Sequence, residues 1–228
     1  MTSKIFNGFP KEFTSFFADL AMNNNKSWFN EHKQDYEQLV LEPSKLFVIA
    51  MGERLTDLSL DINAIPMVNK SLFRLNRDTR FSKDKSPYKT NLGILFWEGT
   101  RKRMECPGFY FHVEANTLML GDGMYQFPKD LLDRYRKATI DKSAGKELSN
   151  IVNRLKEEKI SIGGSYYKRV PEGYAPGHEN AELLKHNGLY TMVETKIPKE
   201  FYSNKLIDYC FERYEKMHPL HKWILSYL

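Results

Sequence analysis

The hydrophobic period of this chain changes twice, and that order constrains its fold more than any single motif does. Over the first sixty residues, large apolar side chains recur every three or four positions, the spacing of one helix face. Phe13, Phe16, Phe17 and Leu20 trace a first helix behind Pro10, a residue suited to a first helical turn. Asn23, Asn24 and Asn25 interrupt it and can cap a second helix carrying Trp28, Phe29, His32, Tyr36, Leu39 and Val40. Pro43 closes that run, and Leu46, Phe47, Ala50, Met51, Leu55 and Leu58 set out a third.

The period then shortens to two. Phe73 and Leu75 alternate with Arg74 and Asn76 as on a half-buried strand, whereas Leu92 to Trp97 is apolar on both faces and reads as a central one. Phe109, Phe111 and Val113 alternate with Tyr110, His112 and Glu114, and the alternation resumes at Thr117. With Ala115 and Asn116 as the turn, Val113 faces Leu118 and Phe111 faces Leu120. Gly121 and Gly123 read as a further turn. Helical spacing returns behind Pro128 and again from Leu148 to Leu155, and a short helix is expected from Ala181 to Asn187. A strand follows from Leu189 to Ile197, and a helix from Leu206 to Met217 is restarted by Pro219. Helices, then strands, then helices predict an α+β fold, with a mainly antiparallel sheet flanked by N-terminal and C-terminal helices in a single domain, 1–228.

Composition excludes several classes. Hydrophobic residues make up 41% and charged residues 28% of the 228, the balance of an ordinary globular protein. The N-terminal stretch is broken by Gly8, Pro10, Lys11 and Glu12 before a signal-peptide core forms, and no run is long enough to span a bilayer. No membrane association is expected. Cys106 and Cys210 are the only cysteines and show no metal-type spacing, so a reducing, cytoplasmic setting without a disulfide framework is expected.

Charge is concentrated in one place. Between Lys70 and Lys89 lie seven basic residues, Lys70, Arg74, Arg77, Arg80, Lys83, Lys85 and Lys89, against Asp78 and Asp84 alone. Lys+Arg total 34 and Asp+Glu 29, so the remaining charges balance and the formal +5 belongs to this segment. Guanidinium forks and mobile ammonium groups are the usual holders of phosphate and carboxylate. Arg74, Arg77, Arg80, Lys85 and Lys89, with the Tyr88 hydroxyl, are therefore candidate ligand-binding residues for an anionic, phosphate-bearing small molecule. His112 and Glu114, two apart on one strand face, extend the candidate site and could move a proton. No metal site is expected, because a third ligand at recognisable spacing is missing. No cofactor is indicated, since neither a GxGxxG nor a GK[ST] fingerprint occurs.

The segment Arg77 to Thr90, RDTRFSKDKSPYKT, closely resembles domain-of-unknown-function family 2461. Trp28-Phe29, Tyr36, PGFYFHVE from Pro107 to Glu114 and KRVPEGYAPGHENAELLK from Lys168 to Lys185 resemble the same family. The resemblance covers nearly the whole chain. It implies an α+β domain and carries no activity, substrate or catalytic residue with it.

Function therefore rests on the residues themselves. The anion-binding reading stands beside an enzyme that uses His112 and Glu114 as acid-base groups at the same site. A structural or protein-interaction domain, whose basic loop neutralises itself, is a further alternative. So is a nucleic-acid binder, with Phe81 and Tyr88 as stacking rings and Arg101-Lys102-Arg103 extending the patch.

Overall fold

A computed structural model of the chain describes residues 5–228. The fold is α+β, with helices before and after a six-stranded antiparallel sheet. The helices are α1 (Glu12–Met22), α2 (Lys26–Glu31), α3 (Lys33–Asp35), α4 (Glu42–Leu55), α5 (Lys129–Ile140), α6 (Ala144–Glu157) and α7 (Leu206–Tyr227). The strands are β1 (Ile62–Asn63), β2 (Leu92–Glu98), β3 (Gly108–Val113), β4 (Thr117–Met124), β5 (Ser161–Ser165) and β6 (His186–Lys196), in the order β1-β2-β3-β4-β6-β5.

The chain divides into two compact units. The first comprises Met1–Phe96, Tyr110–Leu120 and Glu194–Glu212. The Asn25 side-chain oxygen accepts from the Trp28 N–H at 3.0 Å and caps α2, as the sequence predicts. Asn24 does something else, clamping both backbone groups of Tyr88 at 2.9 and 3.1 Å. Pro43 does not end the helical path. A π-turn at Tyr36–Leu41 loosens the helix just ahead of it, and Pro43 then sits in the first turn of α4, where its missing N–H costs little. The Ser44 hydroxyl donates to the Val40 carbonyl at 2.6 Å and satisfies an acceptor beside the break.

The core of this unit is aromatic. Phe9 stacks on Phe201 at 4.7 Å and meets Phe13 at 4.8 Å, while Phe47 packs on Phe111 at 4.5 Å. Each fully buried Phe contributes roughly 1.5–3 kcal/mol relative to exposure. The β3–β4 connection closes as expected, with the Glu114 N–H donating to the Thr117 carbonyl at 3.0 Å and Val113, Leu118, Phe111 and Leu120 all buried. Leu72 to Asn76 departs from the expected strand. Among the described residues it makes only isolated bridges, Leu72 to Val68 and Ile94 and Asn76 to Tyr88, and buries Leu72 and Leu75 rather than Phe73 and Leu75.

The second unit comprises Trp97–Phe109, Gly121–Val193 and Arg213–Leu228. Buried polar groups tie it together. The Trp223 indole N–H donates to the Ala144 carbonyl at 2.9 Å, the Tyr135 hydroxyl to Leu183 at 2.8 Å, and the Asn180 amide to both Thr139 and Gly145 at 3.0 Å. Gly121 and Gly123 do not turn the chain, because β4 continues through them to Met124. Gly123 holds φ at +118°, and a Cβ there would lie 2.4 Å from the Leu189 carbonyl oxygen, so glycine serves close strand approach rather than reversal. Gly163 and Gly164 belong to β5, which pairs antiparallel with β6, Ile162 opposite Thr191. The expected helix after Ala181 is only a 3₁₀ turn, Leu183–Lys185, after which β6 begins. Pro219 does not restart a helix, since α7 runs through it.

Candidate functional site

The basic loop is held by its own acids. Arg77 pairs with Asp84 and also reaches the Ser86 carbonyl at 3.3 Å. Arg80 makes a two-pronged contact with Asp78 at 2.9 and 2.7 Å, and the Lys85 ammonium donates to the Thr79 carbonyl at 2.9 Å. Hydrogen bonds from the Ser86 hydroxyl and N–H, with Arg77 beside them, hold the Asp84 carboxyl well below the usual carboxylate range. Arg80 does the same, less strongly, for Asp78. Both local acids are thus committed to arginines. Phe81, at the loop tip, is 96% exposed, with the Arg80 guanidinium 5.8 Å from its ring. Tyr88 is buried against Phe29 at 4.3 Å, so it serves as a wall of the loop's base.

His112 and Glu114 do come together. The His112 Nε2 lies 3.2 Å from a Glu114 carboxylate oxygen, and its Nδ1 lies 3.2 Å from the Tyr110 hydroxyl and 3.4 Å from the Asn91 amide nitrogen. Burial pushes the Tyr110 hydroxyl up to about 12, so it keeps its proton and can donate. An amide N–H and a hydroxyl both aimed at Nδ1 make that nitrogen the acceptor and leave the ring proton on Nε2, facing Glu114. Tyr110 fits because Gly93 lies beneath it, where a Cβ would come within 2.8 Å of the hydroxyl. The Phe73 ring stands edge-on to Tyr110 at 5.9 Å, and the Lys89 ammonium lies 5.5 Å from the Phe73 ring. Lys89, Phe73, Tyr110 and His112 therefore form one contact chain at the base of the loop. Arg74 is exposed, on the segment whose Phe73 N–H donates to Gly93 at 3.0 Å.

A second constellation, in the other unit, has no counterpart in the sequence reading. The His221 ring on α7 lies between two carboxylates, its Nδ1 2.7 Å from Asp122 on β4 and its Nε2 3.0 Å from Glu98 at the end of β2. The His221 and Asp122 side chains are fully buried, and Phe109 stacks flat on the imidazole at 4.7 Å. A neutral imidazole has one N–H and could satisfy only one acceptor, so the geometry calls for the imidazolium. Burial works against that charge, but the two carboxylates overcome it and raise His221 to about 9. Burial raises the Asp122 carboxyl, with His221 opposing, and one Asp122 oxygen finds no hydrogen-bond partner among the described residues. His218, 5.9 Å from His221, is lowered to about 4 by burial and by the neighbouring charge. The signal was present in the alternation itself: Leu118, Leu120, Asp122 and Met124 share one strand face, and Tyr214, Met217 and His221 one helix face.

Among the described residues, no three His, Cys, Asp or Glu side chains converge as metal ligands, and no helix is long and apolar enough to cross a membrane. The fold and both clusters belong to a chain whose residues 12–223 match one family throughout. The chain belongs to that family, described as conserved hypothetical protein (DUF2461). No curated protein sequence matches it significantly.

Proposed function

We propose that this protein binds an anionic, phosphate-bearing small ligand where the base of the basic loop meets the face of β3 that carries Tyr110, His112 and Glu114. The observation that carries the reading is the contact chain from Lys89 through Phe73 and Tyr110 to His112, which links an ammonium to an imidazole through two aromatic rings. Arg77 and Arg80, paired with Asp84 and Asp78, shape the loop. Lys89 and Arg74 supply charge, Lys85 adds a mobile cation, and His112, its ring held by Glu114, Tyr110 and Asn91, lines the site. Tyr88 fixes the loop base on Phe29.

The test is titration with inorganic pyrophosphate at low salt, followed by calorimetry and by the His112 ring resonances. Lys89→Ala and Arg74→Ala should each weaken binding roughly tenfold, the loss expected for one charge-assisted hydrogen bond. Undiminished affinity in both variants, or no pyrophosphate binding by the parent protein, overturns the proposal. A second reading is favoured by the 3.2 Å His112–Glu114 contact: an enzyme in which the same cations stabilise developing negative charge and His112 moves a proton. It requires phosphorylated compounds to be turned over, with His112→Gln abolishing turnover and sparing binding. The pairing of Arg77 and Arg80 supports a purely structural loop instead, and that reading gains if pyrophosphate fails to bind while Arg77→Ala unfolds the segment.

A further inference from the structure

The second unit holds a cleft of about 200 Å³ with Glu98 in its wall. Its apolar lining comes from Pro107, Met124, Leu131, Ile224 and Leu225, and its polar lip from Thr100, Arg101 and Glu105. Glu98 belongs both to this wall and to the buried trio. Its side chain is 13% exposed, whereas His221 and Asp122 are fully enclosed, so the trio reaches solvent through Glu98. Two features thus meet at one residue: Glu98 lines the apolar cleft, and its carboxylate holds the His221 ring.

We propose that this cleft is a binding site for a small organic amine with an apolar body, whose ammonium group donates to Glu98 while His221 and Asp122 act as positioning residues. The class of ligand follows from the lining. A carboxylate accepts hydrogen bonds, so the polar end of the ligand must donate them. The walls suit an aliphatic or aromatic body of a few carbons. An anion is disfavoured, because the trio sets two carboxylates against one imidazolium, while among the described lining residues Arg101 is paired with Asp130 at 2.5 Å and Glu105 with Lys102 at 3.8 Å. Cys106, also in the wall, has its thiol pushed up by burial and stays neutral, so it adds no charge to the tally. His221 fixes the orientation of the Glu98 carboxylate through Nε2, and Asp122 fixes His221 through Nδ1, so Glu98 is pre-set before a ligand arrives.

The test uses n-butylamine as probe, with butanol and butyrate as neutral and anionic counterparts. It is read by the side-chain nitrogen and proton resonances of His221 and by the thermal midpoint. Butylamine should shift the His221 signals saturably and raise the midpoint, with butyrate doing neither and butanol shifting the signals less. Glu98→Gln keeps an acceptor oxygen for His221 but loses the charge, and it should weaken butylamine binding about tenfold or more. Leu225, 41% exposed on the cleft rim, gives a second variant that leaves the trio intact. Leu225→Lys places an ammonium at the cleft and should abolish the response. No saturable shift with butylamine, an equal response to butyrate, or full binding in both variants overturns the proposal. Because this cleft shares no residue with the Lys89–His112 face, failure here leaves the pyrophosphate result untouched.

Discussion

Raising the pH should destabilise this protein well before its tyrosines ionise, and His221 is the reason. Its side chain is fully buried and held as an imidazolium by Asp122 and Glu98, with its proton retained to about 9 against an ordinary value of 6.5. A group whose folded value is raised contributes stability in full below its unfolded value and loses it as pH climbs through the folded one. At about 1.4 kcal/mol for each pH unit between the two values, the loss from pH 6.5 to 9 comes to roughly 3 kcal/mol. That is a large share of a typical folding free energy. Tyr36 and Tyr110 hold their protons to about 12, so their unfolded-state ionisation adds a further loss above about pH 10. Urea denaturation in steps from pH 6.5 to about 9.5 isolates the histidine limb. His221→Gln should remove the slope, and nitrogen-detected titration of the parent protein should show the His221 imidazolium persisting above pH 8. A flat stability profile with His221 neutral at pH 7.5 would refute the reasoning. On the acid side the sign reverses for His218. Its value is lowered to about 4, so stability drains as pH falls from 6.5 and the unfolded chain takes up a proton the folded one refuses, with the raised Asp122 carboxyl working against that loss.

Three substitutions test the rest. Gly123→Ala puts a Cβ 2.4 Å from a backbone oxygen at φ +118° and should cost roughly 2–3 kcal/mol, measured by denaturant midpoint; an unchanged midpoint would show that the strand contact is looser than described. Phe47→Ala removes the ring shared by Phe6, Phe9, Phe96 and Phe111 and should cost about 3–5 kcal/mol, a loss below 1 kcal/mol being incompatible with that core. Gly93→Ala should dislodge the Tyr110 hydroxyl, and its mark is a shift of the His112 ring resonances; unchanged His112 resonances would break the proposed coupling.

Much of the fold was legible because hydrophobic period reports burial. Phe13, Phe16, Phe17 and Leu20 are buried on α1, and the β3–β4 connection closes at Glu114 and Thr117 as read. The failures concentrate at glycine and proline, whose local meaning depends on what lies opposite. Gly121 and Gly123 look like a turn until Leu189 is known to run alongside, and Pro43 looks like a stop until a π-turn absorbs it. The His112–Glu114 pairing could be read from parity on one strand. The Glu98–His221–Asp122 trio could not, because its members are 24 and 99 residues apart and each alone looks like an ordinary polar residue. Only the shared faces of β4 and α7 hinted at it. Likewise, counting charges marked the basic loop, but not that Asp78 and Asp84 would be taken up by Arg80 and Arg77.

The π-turn at Tyr36–Leu41 also sets a phase. An α-helix advances about 100° per residue, so one residue absorbed by a wider turn rotates everything beyond it by roughly that angle. Tyr36 and Phe47, eleven positions apart, would otherwise fall on nearly the same bearing; Tyr36 meets Phe16 and Phe29, while Phe47 meets Phe96 and Phe111. Removing one residue within Tyr36–Leu41 would therefore restore a regular helix and swing one of these two aromatic groups out of its seat. In this segment helical regularity and correct aim exclude each other, and the chain keeps its aim.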